Sequence, residues 1–107
     1  MSLDVSINKY QLSEVFTANI THNLNVMADH AGVYKYLWRP DELGITKAYQ
    51  LIPHLEKGLR ELQENPEKYK EYDSPNGWGK YENLILFVMN YLEACKLNPE
   101  GIIEVSR

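Results

Sequence analysis

Leu3-Asp4-Val5-Ser6-Ile7-Asn8-Lys9-Tyr10 and Glu14-Val15-Phe16-Thr17-Ala18-Asn19-Ile20 decide the fold. In the first run Leu3, Val5 and Ile7 alternate with Asp4, Ser6 and Asn8. That is the period of two a half-buried strand requires, because successive side chains point to opposite faces. In the second run Phe16, Ala18 and Ile20 share one face, with Val15, Thr17 and Asn19 on the other. The short link Gln11-Leu12-Ser13 predicts an antiparallel hairpin, although without a glycine it carries no strong turn signal. At the far end Ile103 and Val105 alternate with Glu104 and Ser106, so Ile102 to Arg107 is predicted to be a third strand.

Between these strands the spacing changes to three and four. Thr21 or Asn23 can cap a helix that presents Leu24, Met27, Ala28 and Ala31, and Gly32 supplies a left-handed stop. Val33 to Trp38 adds a further helical turn that ends before Pro40. Thr46 is expected to cap a longer helix carrying Ala48, Leu51, Ile52, Leu55, Leu59 and Leu62 on one stripe. Pro53 interrupts that stripe and predicts a kink or break near Ile52, since it clashes with the Tyr49 carbonyl at a cost of ~3 kcal/mol. Asn65-Pro66 opens a short helix through Tyr72. Asp73 to Gly79 is a loop dense in turn residues. The strongest helix follows, with Tyr81, Leu84, Ile85, Val88, Tyr91, Leu92 and Cys95 in one stripe that Leu86, Phe87 and Met89 widen to a second side. The predicted fold is α+β: about three strands, two N-terminal and one C-terminal, packed against several helices in a single domain over residues 1–107.

Composition narrows the function. The 107 residues suit one modest core. A net charge of −4, from 15 acidic against 11 basic residues spread along the chain, argues against a nucleic-acid duplex, which needs clustered cations. Cys95 stands alone, so no internal disulfide forms and a reducing compartment is expected. Leu84 to Met89 is far short of the roughly 20 apolar residues that span a bilayer. The start Met-Ser-Leu-Asp-Val lacks the basic and apolar runs of a signal peptide. These features predict a soluble cytoplasmic protein without a membrane partner.

Ile20-Thr21-His22-Asn23-Leu24, Leu37-Trp38-Arg39-Pro40, Asn76-Gly77-Trp78-Gly79-Lys80-Tyr81 and Val105-Ser106-Arg107 together resemble a family of small uncharacterised proteins encoded in bacteriophage and bacterial genomes. The resemblance covers roughly Asn19 to Arg107. It implies a phage or mobile-element setting, with the host cytoplasm as location, in which small acidic domains often bind a host component or a nucleotide signal. No activity comes with it.

Three segments can carry recognition chemistry. The loop Asn76-Gly77-Trp78-Gly79-Lys80 runs into the strongest helix, where unpaired N–H groups, Lys80 and the helix dipole favour an anion and Trp78 offers a stacking face. The alternative is a tight turn whose Trp plugs the core. His22 and Asn23 stand where a strand becomes a helix and can read a ligand, or can cap and bond locally. Trp38-Arg39 joins an aromatic plane to a donor fork; alternatively Trp38 fills the core and Arg39 pairs with Asp41 or Glu42. Arg107 emerges beside His22 only if the last strand runs in the same direction as the second; otherwise it ends near Glu14.

No metal-ligand spacing occurs among His22, His30 and His54, no cofactor motif is present, and Cys95 sits on an apolar stripe. Adjacent Asp29 and His30 diverge by about 100° on a helix and are not a pre-aligned dyad. The leading expectation is therefore a non-enzymatic protein that captures a small anionic or nucleotide-like molecule through His22, Asn23, Trp38, Arg39, Asn76, Trp78, Lys80 and Arg107. A counter-defence role fits that setting. Two rivals remain: an interaction module that inhibits a host protein through its tyrosine-rich surface, and a small hydrolase or transferase using His22 as base. Leu86 and Met89 further suggest a homo-oligomer.

Overall fold

A computed structural model of the chain describes residues 2–10, 13–73, 75, 77 and 79–107. The order is β1 (Ser2–Tyr10), β2 (Ser13–Thr21), a 3₁₀ turn (His22–Leu24), α1 (Asn25–His30), α2 (Tyr34–Trp38), a second 3₁₀ turn (Pro40–Leu43), α3 (Ala48–Glu64), α4 (Pro66–Lys70), α5 (Tyr81–Leu97) and β3 (Ile102–Ser106). This is the α+β arrangement that the two periodicities predict. Gln11 and Leu12 of the expected hairpin link lie outside the described residues.

The sheet has the order β2-β1-β3, and both pairings are antiparallel. Leu3 faces Ile20, Val5 faces Ala18 and Val105, and Ile7 faces Phe16 and Ile103, so one side of the sheet is apolar. Leu3, Val5 and Ile7 are buried there, each contributing about 1.5–3 kcal/mol of apolar transfer. The opposite side is polar: Asp4 faces Asn19 and Ser106, and Ser6 faces Thr17 and Glu104. Because β2 and β3 both oppose β1, they run in the same direction. Arg107 therefore leaves the sheet at the end where β2 hands over to His22.

The helices cover the apolar side. α3 and α5 pack against each other, burying Leu51, Leu55 and Leu62 of the one and Leu84, Val88, Tyr91 and Cys95 of the other. Thr21 caps the first turn, its hydroxyl accepting from the Asn23 N–H at 3.3 Å, and Gly32 ends that segment at φ 80°. At α3 the cap is Lys47 rather than Thr46. Gln50 Oε1 reaches back to accept from the N–H groups of both Thr46 and Lys47 at 2.9 Å. Carbonyls of Pro99 and Gly101 accept from the next two N–H groups, which ties the start of α3 to the segment leaving α5. α3 also runs through Pro53 without the break that was one of the two expected outcomes. Pro53 and Tyr49 both lie on its exposed side, so the Tyr49 carbonyl that loses its helical donor can be hydrated instead.

Candidate functional site

Along the outer side of β2 runs a groove of about 770 Å3. One wall is the strand itself, from Val15 to Thr21. The other is a stripe of α5 formed by Asn83, Leu86, Phe87, Asn90, Glu93 and Leu97. Their spacing of three and four keeps them in line for about 20 Å at 1.5 Å per residue. Ala94, Asn98, Gly77 and Gly79 complete the described lining. Phe16 stacks on Tyr91 at 5.8 Å and Phe87 meets the same ring edge-on at 5.9 Å, so the groove rests on an aromatic base. The Tyr91 hydroxyl beneath it has no hydrogen-bond partner among the described residues. Glu93 is the one charged side chain among the described lining residues; amides supply most of the remaining polarity.

Gly79, just before α5, is docked on the end of β2. Gly79 has φ 113°, and a Cβ there would meet Asn23 Cβ and Thr21 Cγ2 at 3.2 Å. A side chain is thus excluded by backbone angle and by space. Asn76 and Trp78 lie outside the described residues. Lys80, at the N-cap of α5, is exposed and does not line the groove. Sequence reading placed unpaired N–H donors here, but the Lys80 N–H is accepted by Asn83 Oδ1 at 3.0 Å and the Tyr81 N–H by Asp73 Oδ1 at 2.7 Å. The negative charge that this helix end favours is supplied by the chain's own Asp73.

His22, Trp38 and Arg107 form a second cluster, next to but distinct from the groove. The indole of Trp38 is 2% exposed, stacks on Tyr34 at 5.4 Å and donates its Nε1–H to His22 Nδ1 at 2.9 Å. Arg107 donates to the Trp38 carbonyl at 2.9 Å and grips Asp41 through both terminal nitrogens. The hydrogen bond from Arg107 holds the Asp41 carboxyl below its usual range. Arg39 donates to the Tyr34 hydroxyl and to Glu42, two bonds that push its already high pKa higher. The parallel course of β2 and β3 thus does gather His22 and Arg107, with Trp38 between them, while Asn23 faces the Gly79 loop instead. The guanidiniums are engaged within the chain, and the Trp38 face is covered.

No family model, curated protein or solved structure matches this chain.

Other chemistry-bearing groups are packed. Burial pushes the Cys95 thiol up to about 12, which leaves almost no thiolate at neutral pH. His30 stacks on Tyr72 at 4.6 Å and His54 on Tyr36 at 4.0 Å. Among the described residues no group of three His, Cys, Asp or Glu side chains could hold a metal ion, and no helix is long and apolar enough to cross a membrane. The residues that sequence reading missed are Asn83, Asn90 and Glu93. Their signal was present: polar side chains at positions 83, 90 and 93 interleave with Leu86 and Leu97 at helical spacing. Only the tertiary structure shows that this stripe overlooks a strand edge.

Proposed function

We propose that the protein is a non-enzymatic, cytoplasmic binding protein that captures a small nucleotide-like molecule in the groove between β2 and α5. The observation that carries this reading is the groove itself. Its volume of about 770 Å3 falls in the range of roughly 300–1,000 Å3 typical of small-molecule sites. Asn90 offers a donor and an acceptor, the combination that the edge of a nucleobase pairs with, and Asn83, whose Oδ1 accepts from the Lys80 N–H, adds a donor. Phe16 and Phe87 supply an apolar floor, and the glycine backbone lets the ligand approach closely. Support for an anionic portion is narrower. No cation lines the groove among the described residues: Lys80 lies outside it, and Arg39 and Arg107 are engaged by Tyr34, Glu42 and Asp41. The base and sugar then provide most of the affinity and the phosphate little. Removal of a nucleotide signal from an infected host, the counter-defence role implied by the resemblance, belongs to the same proposal.

Calorimetry with a panel of nucleosides and nucleotides tests it. One member of the panel is expected to bind saturably, with Asn90→Ala weakening it about tenfold, the effect of losing one buried hydrogen bond of about 1.4 kcal/mol. Arg39→Ala should leave affinity unchanged. Flat titrations across the panel overturn the reading.

A further inference from the structure

The two edges of the sheet are treated differently. On the β3 edge the chain covers itself: the Ile103 N–H is accepted by the Thr46 carbonyl at 2.9 Å, and Lys47 bridges to Ile102. On the β2 edge no strand or bridge lies alongside among the described residues. From Val15 to Thr21 that edge also lacks charge, proline and glycine, the devices by which exposed edges avoid pairing with other strands. Its surroundings are apolar. Val15 is 41%, Leu86 56% and Leu97 71% exposed, and all three line the same groove.

We infer that a second copy of this chain pairs with β2, edge to edge and antiparallel, and that the ligand site is completed by both copies. A two-fold axis through Ala18, the midpoint of Val15–Thr21, sets Phe16 opposite Ile20 on the apolar face and Thr17 opposite Asn19 on the polar face, so each face continues its own chemistry across the seam. The seam from Phe16 to Ile20, where β2 is regular, carries no charged residue, so no like-charge contact opposes the pairing.

A two-fold perpendicular to the sheet leaves both helical layers on one face. The product is a six-stranded sheet with the two α5 helices facing each other across the seam. The two open grooves then join into one chamber, floored by the paired β2 strands and walled by Leu86, Asn90 and Leu97 of each copy. The role of that chamber as a ligand site rests on the proposed binding function; the seam itself does not.

Light scattering is expected to give twice the chain mass at micromolar concentration. Leu86→Glu, at an exposed position, and Ala18→Lys should each give the single-chain mass with unchanged circular dichroism. Ala18→Cys should form a disulfide-linked dimer under mild oxidation, because the axis sets that residue against its own copy at a Cα separation of about 4.5–5.5 Å. Wild-type protein, whose Cys95 is buried, and Val26→Cys, on the exposed surface of α1, should not. A wild-type monomer overturns the inference, as does a dimer that survives both substitutions and fails to cross-link at position 18. The nucleoside panel separates the two proposals. A dimer that binds nothing keeps the seam and removes the binding reading; a monomer that binds does the reverse.

Discussion

Trp38 shows how a single donor can organise the end of a sheet. Its indole is buried, and a buried N–H must find an acceptor; His22 Nδ1 provides it at 2.9 Å. The Trp38 carbonyl meanwhile receives Arg107, so residues near both ends of the chain meet on one side chain and its backbone. His22→Ala is expected to destabilise the protein by about 1–3 kcal/mol, mostly through the stranded indole N–H. In a Trp38→Phe background, which removes that donor, the same substitution should cost distinctly less; urea melts of the four proteins give the coupling directly. Equal costs in the two backgrounds would show that the bond stabilises nothing. That Arg107 emerges beside His22 could be read conditionally from the sequence, through the direction of the last strand; Asn23, expected with them, faces Gly79 instead. The sequence also offered Trp38 in the core with Arg39 paired to Asp41 or Glu42, and the structure takes that alternative: the indole is buried and Arg39 donates to Glu42.

The elements themselves were legible wherever one periodicity ran long enough: β1, β2 and β3 from alternation, α3 and α5 from spacing of three and four. The exceptions are instructive. Pro53 predicted a kink or break, yet α3 continues past it because the packing of Leu51, Leu55 and Leu62 outweighs one lost backbone hydrogen bond. The β2–α5 groove was invisible because it depends on strand order, and nothing in SEVFTANIT states that β2 lies at an edge. A close approach was equally hidden: Gly58 of α3 abuts Val33, where an added Cβ would lie 1.7 Å from Val33 Cγ1. Helix propensity alone favours Gly58→Ala by about 1 kcal/mol. Steric overlap here reverses the sign, and the substitution should destabilise by about 1–3 kcal/mol. Adding Val33→Ala, which deletes the colliding methyl, should return part of that loss. Thermal melts of the two single substitutions and the pair decide it; a stabilised Gly58→Ala would mean that α3 and the α1–α2 segment are not packed as described.

At the scale of the whole molecule, the core holds protonated groups that would have to ionise in a closed interior. Burial pushes the Cys95 thiol from 9.0 up to about 12. Burial first, and then the hydrogen bond to Glu61, pushes Tyr69 from 10.0 up to about 12; burial raises Tyr91 as well. All three are neutral when protonated, so the folded state holds its protons to higher pH than the unfolded chain does. Stability is therefore complete well below pH 9, where both states stay protonated, and falls as pH rises from the unfolded values toward the folded ones. Each group adds a slope of up to about 1.4 kcal/mol per pH unit within its own window. Urea midpoints should accordingly be level between neutrality and about pH 8.5 and decline above about pH 9. Cys95→Ala should lower the neutral plateau by leaving a small cavity while flattening the first part of the decline, because the group that titrates earliest is gone. Tyr91→Phe removes a hydroxyl with no partner among the described residues. It should leave the plateau unchanged or raise it, and soften the decline only above about pH 10. A decline as steep in Cys95→Ala as in the wild-type chain between pH 9 and 10 would place the alkaline sensitivity outside the α5 core.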